Sequence, residues 1–139
     1  MIGRRFLAFP LMMSLFCGLF SPAVVMAADV GEEVEVTSGA ITALSCAMEA
    51  QTTGKLDSLS NCSMRDTVAG LVVYDIAMKD IYLLAPQAIH RFELERAFGG
   101  GRIDFLGTVI QEKDGIGVVS VTEYTINPRP KPGAFKGCL

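Results

Sequence analysis

The sequence predicts a mainly β domain, a five-stranded Greek-key barrel with one helix between its third and fourth strands. The first observation is the alternation of polar and apolar side chains over residues 33–37, typical of a strand with one buried face. The second is an alternating segment, 102–126, centred on the tight-turn dipeptide Asp114-Gly115. The third is a helix-compatible segment, 87–98, that lies between this hairpin and two earlier apolar runs.

The first predicted strand begins at Glu33 and ends at Cys46. Gly39 interrupts its alternation, and a glycine inside a strand usually marks a bulge or a sharp bend. The longest polar stretch, residues 48–66, follows and is rich in Thr, Gly, Asp, Ser and Asn, which are loop formers. We therefore expect a bent first strand and then a long loop, with only a weak signal for a helix at 56–59.

The remaining elements follow in order. The second strand is centred on Val72-Val73, a turn follows at Lys79-Asp80, and residues 81–85 form a short third strand that a proline ends. The glycines at 99–101 terminate the predicted helix before the hairpin begins. In the tail, 128–139, three prolines at alternate positions predict an extended and poorly packed segment.

The order of these elements is that of an OB-fold, a small Greek-key barrel with a helix between strands three and four. A bent first strand fits this fold because that strand belongs to both sheets of the barrel. An SH3-like barrel or a fragment of a β-sandwich is the alternative. The position of the helix favours the OB-fold, with residues 28–127 as its single domain.

The start of the chain predicts export. Two arginines precede an almost wholly apolar run, 6–26, and Ala27 stands where a signal peptidase would cleave. We expect residues 1–27 to be a secretory signal peptide and the protein to reach the periplasm or the exterior. The run is long enough to span a bilayer, so a retained anchor is the alternative. Two prolines and a glycine interrupt the run and favour cleavage.

Cleavage after Ala27 leaves the length of one ordinary domain. The signal carries two arginines and no acid, so its removal takes the formal net charge from −3 to −5. Nucleic-acid binding needs a basic surface studded with aromatic side chains, whereas this domain is acidic and has no Trp. We therefore expect no nucleic-acid partner, and no stable membrane insertion once the signal is removed.

Four features of the sequence occur together: GAITALSC, a second cysteine in the following loop, IYLLAP and DFLGTVIQEKDGIGVVSV. In these features the chain resembles a group of small exported bacterial OB-fold proteins. In that group a G-x-V-x-x-x-x-C strand, a cysteine-bearing loop, a LYLL strand and a VTGTVVEKDG hairpin recur. The likeness covers residues 36–126 and implies an OB-fold and export, but no chemistry, because the group is largely of undefined activity. The chain departs from it at Phe105-Leu106, where a polar pair would be usual, and at Cys138.

Three cysteines lie beyond the signal, at Cys46, Cys62 and Cys138. Paired thiols become disulfides in an oxidising compartment. We expect a Cys46–Cys62 bond that closes the loop after the first strand and holds it over the face that OB-folds use for binding. Pairing of either cysteine with Cys138 is the alternative. An unpaired Cys138 would be a free thiol that could join two chains into a dimer.

Two Cys-x-Met units raise a copper-binding alternative, because thiolates and thioethers suit Cu(I). The candidate ligands are Cys46, Met48, Cys62, Met64, Met78 and His90. A disulfide would consume both thiolates, however, and methionine is more often core filler than ligand. We therefore expect no metal and no cofactor.

The residues needed for catalysis do not form a recognisable pattern. The chain has one His, no G-x-S-x-G and no C-x-x-C, and the glycines at 99–101 lack the pattern of a phosphate loop. Asp75 and Asp80 flank a turn and are expected to be solvated. We therefore expect that the protein is not an enzyme.

The sequence thus predicts a non-enzymatic exported OB-fold protein that serves as a binding or scaffold module. Its partner would be an unknown envelope protein or a small ligand, held on the barrel face beneath residues 47–66. A periplasmic copper- or thiol-handling protein is the alternative. The only basic cluster is Arg129, Lys131 and Lys136 in the tail, which could dock on an acidic partner or a membrane surface.

Overall fold

Five strands close into a barrel, in which they lie in the order first, second, third, fifth and fourth along the chain. The structure is a computed structural model that describes residues 28–128. The predicted signal peptide, the segment from 129 onward and Cys138 therefore lie outside the described residues. The strands are β1 (Glu33–Ala43), β2 (Leu71–Tyr74), β3 (Ile81–Leu84), β4 (Arg102–Lys113) and β5 (Ile116–Asn127). The prediction of a mainly β domain with a five-stranded barrel is confirmed.

Neighbouring strands are antiparallel except for β3 and β5, whose parallel pairing closes the barrel. The described helices are α1 (Leu44–Thr53), α2 (Asp57–Ser60), a 3₁₀ segment (Met64–Val68) and α3 (Arg91–Ala97). Helix α3 follows β3 and precedes β4 along the chain. The prediction of a single helix was wrong, because three helical segments lie between β1 and β2.

The main core fills the barrel interior with the inward-facing side chains of the alternating strands. Val34 and Val36 of β1 lie beside Phe105 and Val109 of the neighbouring strand β4, and all four point into this space and are buried. The ring of Tyr82 on β3 packs edge-to-face on Phe105, with ring centroids 6.0 Å apart. The alternation read from the sequence therefore marks the true inner face of both long strands.

The predicted bend in β1 is present at Gly39. The pairing of β1 with β4 shifts register between Val36 and Gly39. A Cβ atom at Gly39 would lie 2.5 Å from a methyl carbon of Val73 and 2.8 Å from one of Val36. Only glycine therefore lets the bent strand approach its neighbours this closely.

The β4–β5 hairpin turns at the predicted dipeptide. Asp114 has φ 55 and Gly115 has φ 79, so both residues are in the left-handed region that a type I′ turn requires. The strands of this hairpin pair from Arg102 with Asn127 to Lys113 with Ile116. Within residues 28–128, no helix combines the length and the apolar character that crossing a membrane requires.

A second core lies on the outside of the barrel, under α1 and α2, which together we call the cover. Three of its side chains come from the cover and four from the strands beneath: Ala47, Ala50, Leu59, Ala40, Val72, Tyr74 and Ile81. Strand β2 is consequently buried on both of its faces. This layer corrects two predictions, because β1 ends at Ala43 rather than Cys46 and residues 48–66 are largely helical rather than a loop.

The physical reason for this correction is the spacing of small residues. Ala47 and Ala50 are three apart and so share one face of α1, where small side chains let the helix lie close to the sheet. The helix begins where the Leu44 amide donates to the Gly70 carbonyl at 2.9 Å. It ends at Gly54, whose φ of 72 is the left-handed conformation of a glycine C-cap.

Candidate functional site

Cys46 and Cys62 form a disulfide, with their Cα atoms 6.1 Å apart. The expected pairing is confirmed, although Cys46 lies in the first turn of α1 and not at the end of a strand. Cys62 follows α2, so the bond joins the beginning of the cover to its end. The disulfide therefore stabilises the packing of the cover on the barrel.

Acidic side chains surround this disulfide. A groove of about 410 Å³ borders it and is lined by Cys46, Glu49, Lys55, Asp57, Ser58, Asn61, Cys62 and Asp66. Three carboxylates face one ammonium group there, so the local potential repels an attacking thiolate. One of them, Asp66, also accepts the Ser63 amide at 3.0 Å in a capping box of the 3₁₀ segment. These surroundings favour a structural bond over a redox-active one.

The candidate copper ligands are distributed over several elements. Among the described residues, Cys46, Cys62 and Asp66 place ligand atoms within 4.8 Å of one another, and His90 is not part of that group. Both thiolates of this group are consumed by the disulfide. Met48, Met64 and Met78 are all more than half exposed. While the disulfide is intact, this group therefore offers a metal ion one carboxylate and no thiolate, which is not a ligand set that Cu(I) prefers.

The barrel face beneath the cover is not open. Val72, Tyr74 and Ile81 would form the centre of that face, and none is more than 3 % exposed. The side chains of α1 and α2 fill the space where the sequence predicted a ligand. The expected binding face beneath residues 47–66 is therefore occupied by the second core.

A buried carboxylate organises the β2–β3 turn. Asp75 was expected to be solvated but is buried, and its Oδ1 accepts the amides of Ala77 at 2.9 Å and Met78 at 3.3 Å. Burial raises the pKa of the Asp80 carboxyl, and the Tyr82 hydroxyl donates to it at 3.4 Å. Burial, together with these carboxylates, raises the pKa of Tyr82 well above its usual value. These three side chains therefore stabilise the β2–β3 turn.

An open concavity lies instead on the outside of β1, β4 and β5, and we call it the outer groove. It has a volume of about 410 Å³ and is lined by Glu35, Val36, Thr37, Asp104, Phe105, Leu106, Glu123, Tyr124 and Thr125. Strand register places Glu35, Leu106 and Glu123 side by side across the three strands. Leu106 is 38 % exposed, so an apolar side chain lies between two carboxylates on a solvent-facing sheet.

In the outer groove, a second row of side chains lies next to the row of Glu35, Leu106 and Glu123. Asp104 is opposite Thr125, and its Oδ1 accepts the Ser38 amide at 2.6 Å, which orients the carboxylate on the bulge of β1. Glu35, Asp104 and Glu123 are therefore the charged lining residues, and none of the lining residues is a cation. The nearest outward position on β4 beyond them is Arg102, which donates to the Gly101 carbonyl at 3.3 Å.

Tyr124 connects the outer groove to α3. Its hydroxyl donates to the Glu93 carboxylate at 2.9 Å, and this bond raises the pKa of Tyr124 above its usual value. The outer groove was not predicted from the sequence. The available signal was Leu106, an apolar residue at an outward position of an alternating strand, in the place where the resembling group has a polar residue.

Comparisons with known proteins yield no relative. No protein family, curated protein or solved structure matches this chain. The resemblance to exported OB-fold proteins therefore remains a prediction that rests on the short motifs alone.

Proposed function

We propose that this chain is an exported, non-enzymatic OB-fold protein that acts as a binding or scaffold module. The strand order β1-β2-β3-β5-β4, with parallel β3 and β5 and a helix between β3 and β4, supports the OB-fold assignment. The intramolecular disulfide supports an oxidising compartment. The periplasm or the exterior is the proposed location.

The outer groove is the proposed contact surface, and its open, amphipathic character is the observation that carries the proposal. The alternative face, under the cover, is packed by the second core. In the outer groove a partly exposed Leu106 lies between the carboxylates of Glu35 and Glu123. An apolar centre with a polar rim is the usual composition of a protein contact surface, so an envelope protein with a complementary basic rim is the favoured partner.

Affinity capture from envelope extract tests this proposal. The immobilised protein is the chain purified after export, and the groove variant is Glu35→Lys/Glu123→Lys. The matched control is Glu49→Lys, an exposed acid on α1 away from the outer groove. We expect the parent and the control to retain the same partner and the groove variant to lose it. Equal capture by all three proteins, with unchanged circular dichroism, would refute the outer groove as the contact surface.

A copper- or thiol-handling role is the second candidate, because reduction of the disulfide would leave two thiolates beside the Asp66 carboxylate. Thiol titration of the exported protein separates the two proposals. The binding-module proposal expects one reactive thiol, at Cys138. Three reactive thiols together with bound copper would favour the second candidate.

A further inference from the structure

The outer groove combines a concentrated negative charge with an apolar centre. Its three carboxylates belong to Glu35, Asp104 and Glu123, and they lie on adjacent strands without a cation among the lining residues. A basic side chain fits such a surface in two ways. Its aliphatic stem can cover Leu106, and its charged end can reach the carboxylates at the rim.

A cationic segment follows the outer groove directly along the chain. Strand β5 supplies Glu123, Tyr124 and Thr125 to the lining and ends at Asn127. The next residues, 129–136, contain Arg129, Lys131 and Lys136 and no acid. Three positive charges therefore follow, in sequence, the strand that carries Glu123, one of the three groove carboxylates.

The chain length allows this segment to return to the outer groove. Glu123 lies four residues before the end of β5, a distance of about 13 Å at ~3.3 Å per strand residue. Residues 128–136 can span about 30 Å when extended. A reversal at Asn127-Pro128, a dipeptide that favours turn initiation, would lay this extended segment back along β5 towards Glu123.

We propose that the basic segment 129–136 binds the outer groove of its own chain and competes there with the partner. Exposed ion pairs are individually weak and are screened by salt. Attachment to β5 compensates for this weakness, because a short linker gives an effective concentration in the millimolar range. The competition rests on the proposed function, whereas the binding of the segment to the outer groove does not.

Amide chemical shifts test the binding, using ¹⁵N-labelled chain purified after export. The segment variant is Arg129→Gln/Lys131→Gln/Lys136→Gln. The reporters are the amides of Glu35 and Leu106, which are far from the segment in sequence and change only if the segment contacts them. We expect both to shift in the variant, and to shift in the same direction when the parent is moved from about 50 mM to about 500 mM salt, because salt screens exposed pairs.

Two further variants test where the segment binds, and dilution of the parent tests whether the contact forms within one chain. Glu35→Gln/Glu123→Gln should abolish the difference between parent and neutralised segment, whereas Glu49→Gln on α1 should leave it unchanged. Unshifted reporter amides in the segment variant would refute the proposal. Reporter shifts that disappear on tenfold dilution of the parent would also refute it, since they would show that the segment of a second copy occupies the outer groove.

Affinity capture separates this proposal from the proposed function. The neutralised segment should increase partner capture several-fold, because the outer groove is then free. If the reporters shift but capture depends on no groove residue, the segment binds and the proposed function fails. If capture depends on Glu35 and Glu123 while the reporters do not shift, the outer groove is the contact surface and the segment proposal fails.

Discussion

Removing the disulfide should release the cover while the barrel stays folded. The perturbation is the double variant Cys46→Ala/Cys62→Ala, in which neither cysteine is left as a free thiol. Alanine is chosen because Cys46 is buried at the edge of α1, where a serine hydroxyl would add a polar group. The variant thus removes the covalent link and little else.

The expected loss of unfolding free energy follows from the number of residues between the two cysteines. The two cysteines are separated by 16 positions, and the chain-entropy relation gives a cross-link of this span about 3 kcal/mol. A domain of ordinary stability has about 5–15 kcal/mol in total, so the variant should lose a large fraction of its free energy of unfolding. Helices as short as α1 and α2 are marginal alone, so the loss should concentrate in the cover.

Urea unfolding and amide hydrogen exchange measure these two effects. We expect the free energy of unfolding to fall by about 3 kcal/mol. Protection of the Ala47 and Ala50 amides should fall more than that of Val109 and Val119 in the barrel, because the opened cover is no longer restricted by the cross-link and gains conformational entropy. The control is Cys138→Ala, which keeps the disulfide. A loss below ~1 kcal/mol, or equal loss of protection in cover and barrel, would refute this account of the disulfide.

Three other predictions follow from the packing and from the buried tyrosines. Gly107→Ala should destabilise the fold by about 1–3 kcal/mol, because its Cβ would lie 2.5 Å from a methyl carbon of Val119; unchanged urea unfolding would contradict the close packing of β4 on β5. Leu59→Ala should cost about 2–5 kcal/mol, since this buried side chain is the largest that the cover contributes to the second core; a thermal melt that matches the parent would show that the cover does not pack there. The raised pKa of Tyr82 predicts that alkaline pH destabilises the fold, because the folded protein keeps the phenol proton at a pH where the unfolded chain releases it. The free energy of unfolding should therefore be constant below a pH of about 10 and fall above it. Tyr82→Phe should flatten that decline in urea unfolding across this range, with Tyr74 and Tyr124 accounting for the remainder, and an equally steep decline in the variant would contradict the assignment.

The barrel was predictable because its strands obey local rules. Alternation of period two identifies the inner face of β1, β4 and β5 without knowledge of the neighbours. The left-handed pair Asp114-Gly115 and the bulge at Gly39 are also local requirements, readable from residue type alone. These features set the hairpin and the bend, and both were found where the sequence placed them.

The cover was not predictable, because its helix signal is weak. The outward positions of α1 carry Glu49, Gln51 and Thr52, and its inward positions carry small alanines rather than large apolar residues. Such a segment has the composition of a loop, and only the apolar outer face of β2 makes it helical. The clue in the sequence was on β2, since the continuous apolar run 71–74 indicates a strand covered on both faces, and all four residues are buried.

The outer groove was not predictable for a different reason. Glu35, Leu106 and Glu123 come from three strands, and only the register of β1 with β4 and of β4 with β5 places them in one row. That register depends on the bulges, which the sequence locates for β1 but not for the shift after Leu106 on β4. One residue of offset in either pairing would have separated Leu106 from the carboxylate on that neighbouring strand.

The position of the cover determines which surface remains for binding. The apolar outer face of β2 and β3 needs burial, and this chain satisfies that need with its own α1 and α2 rather than with a ligand. A disulfide among acidic neighbours keeps those helices in place, so the face does not become available by simple thiol exchange. Binding at that face would require loss of the second core, whereas binding at the outer groove requires none. For this physical reason the proposed contact surface lies on β1, β4 and β5 and not beneath the segment that contains the two cysteines.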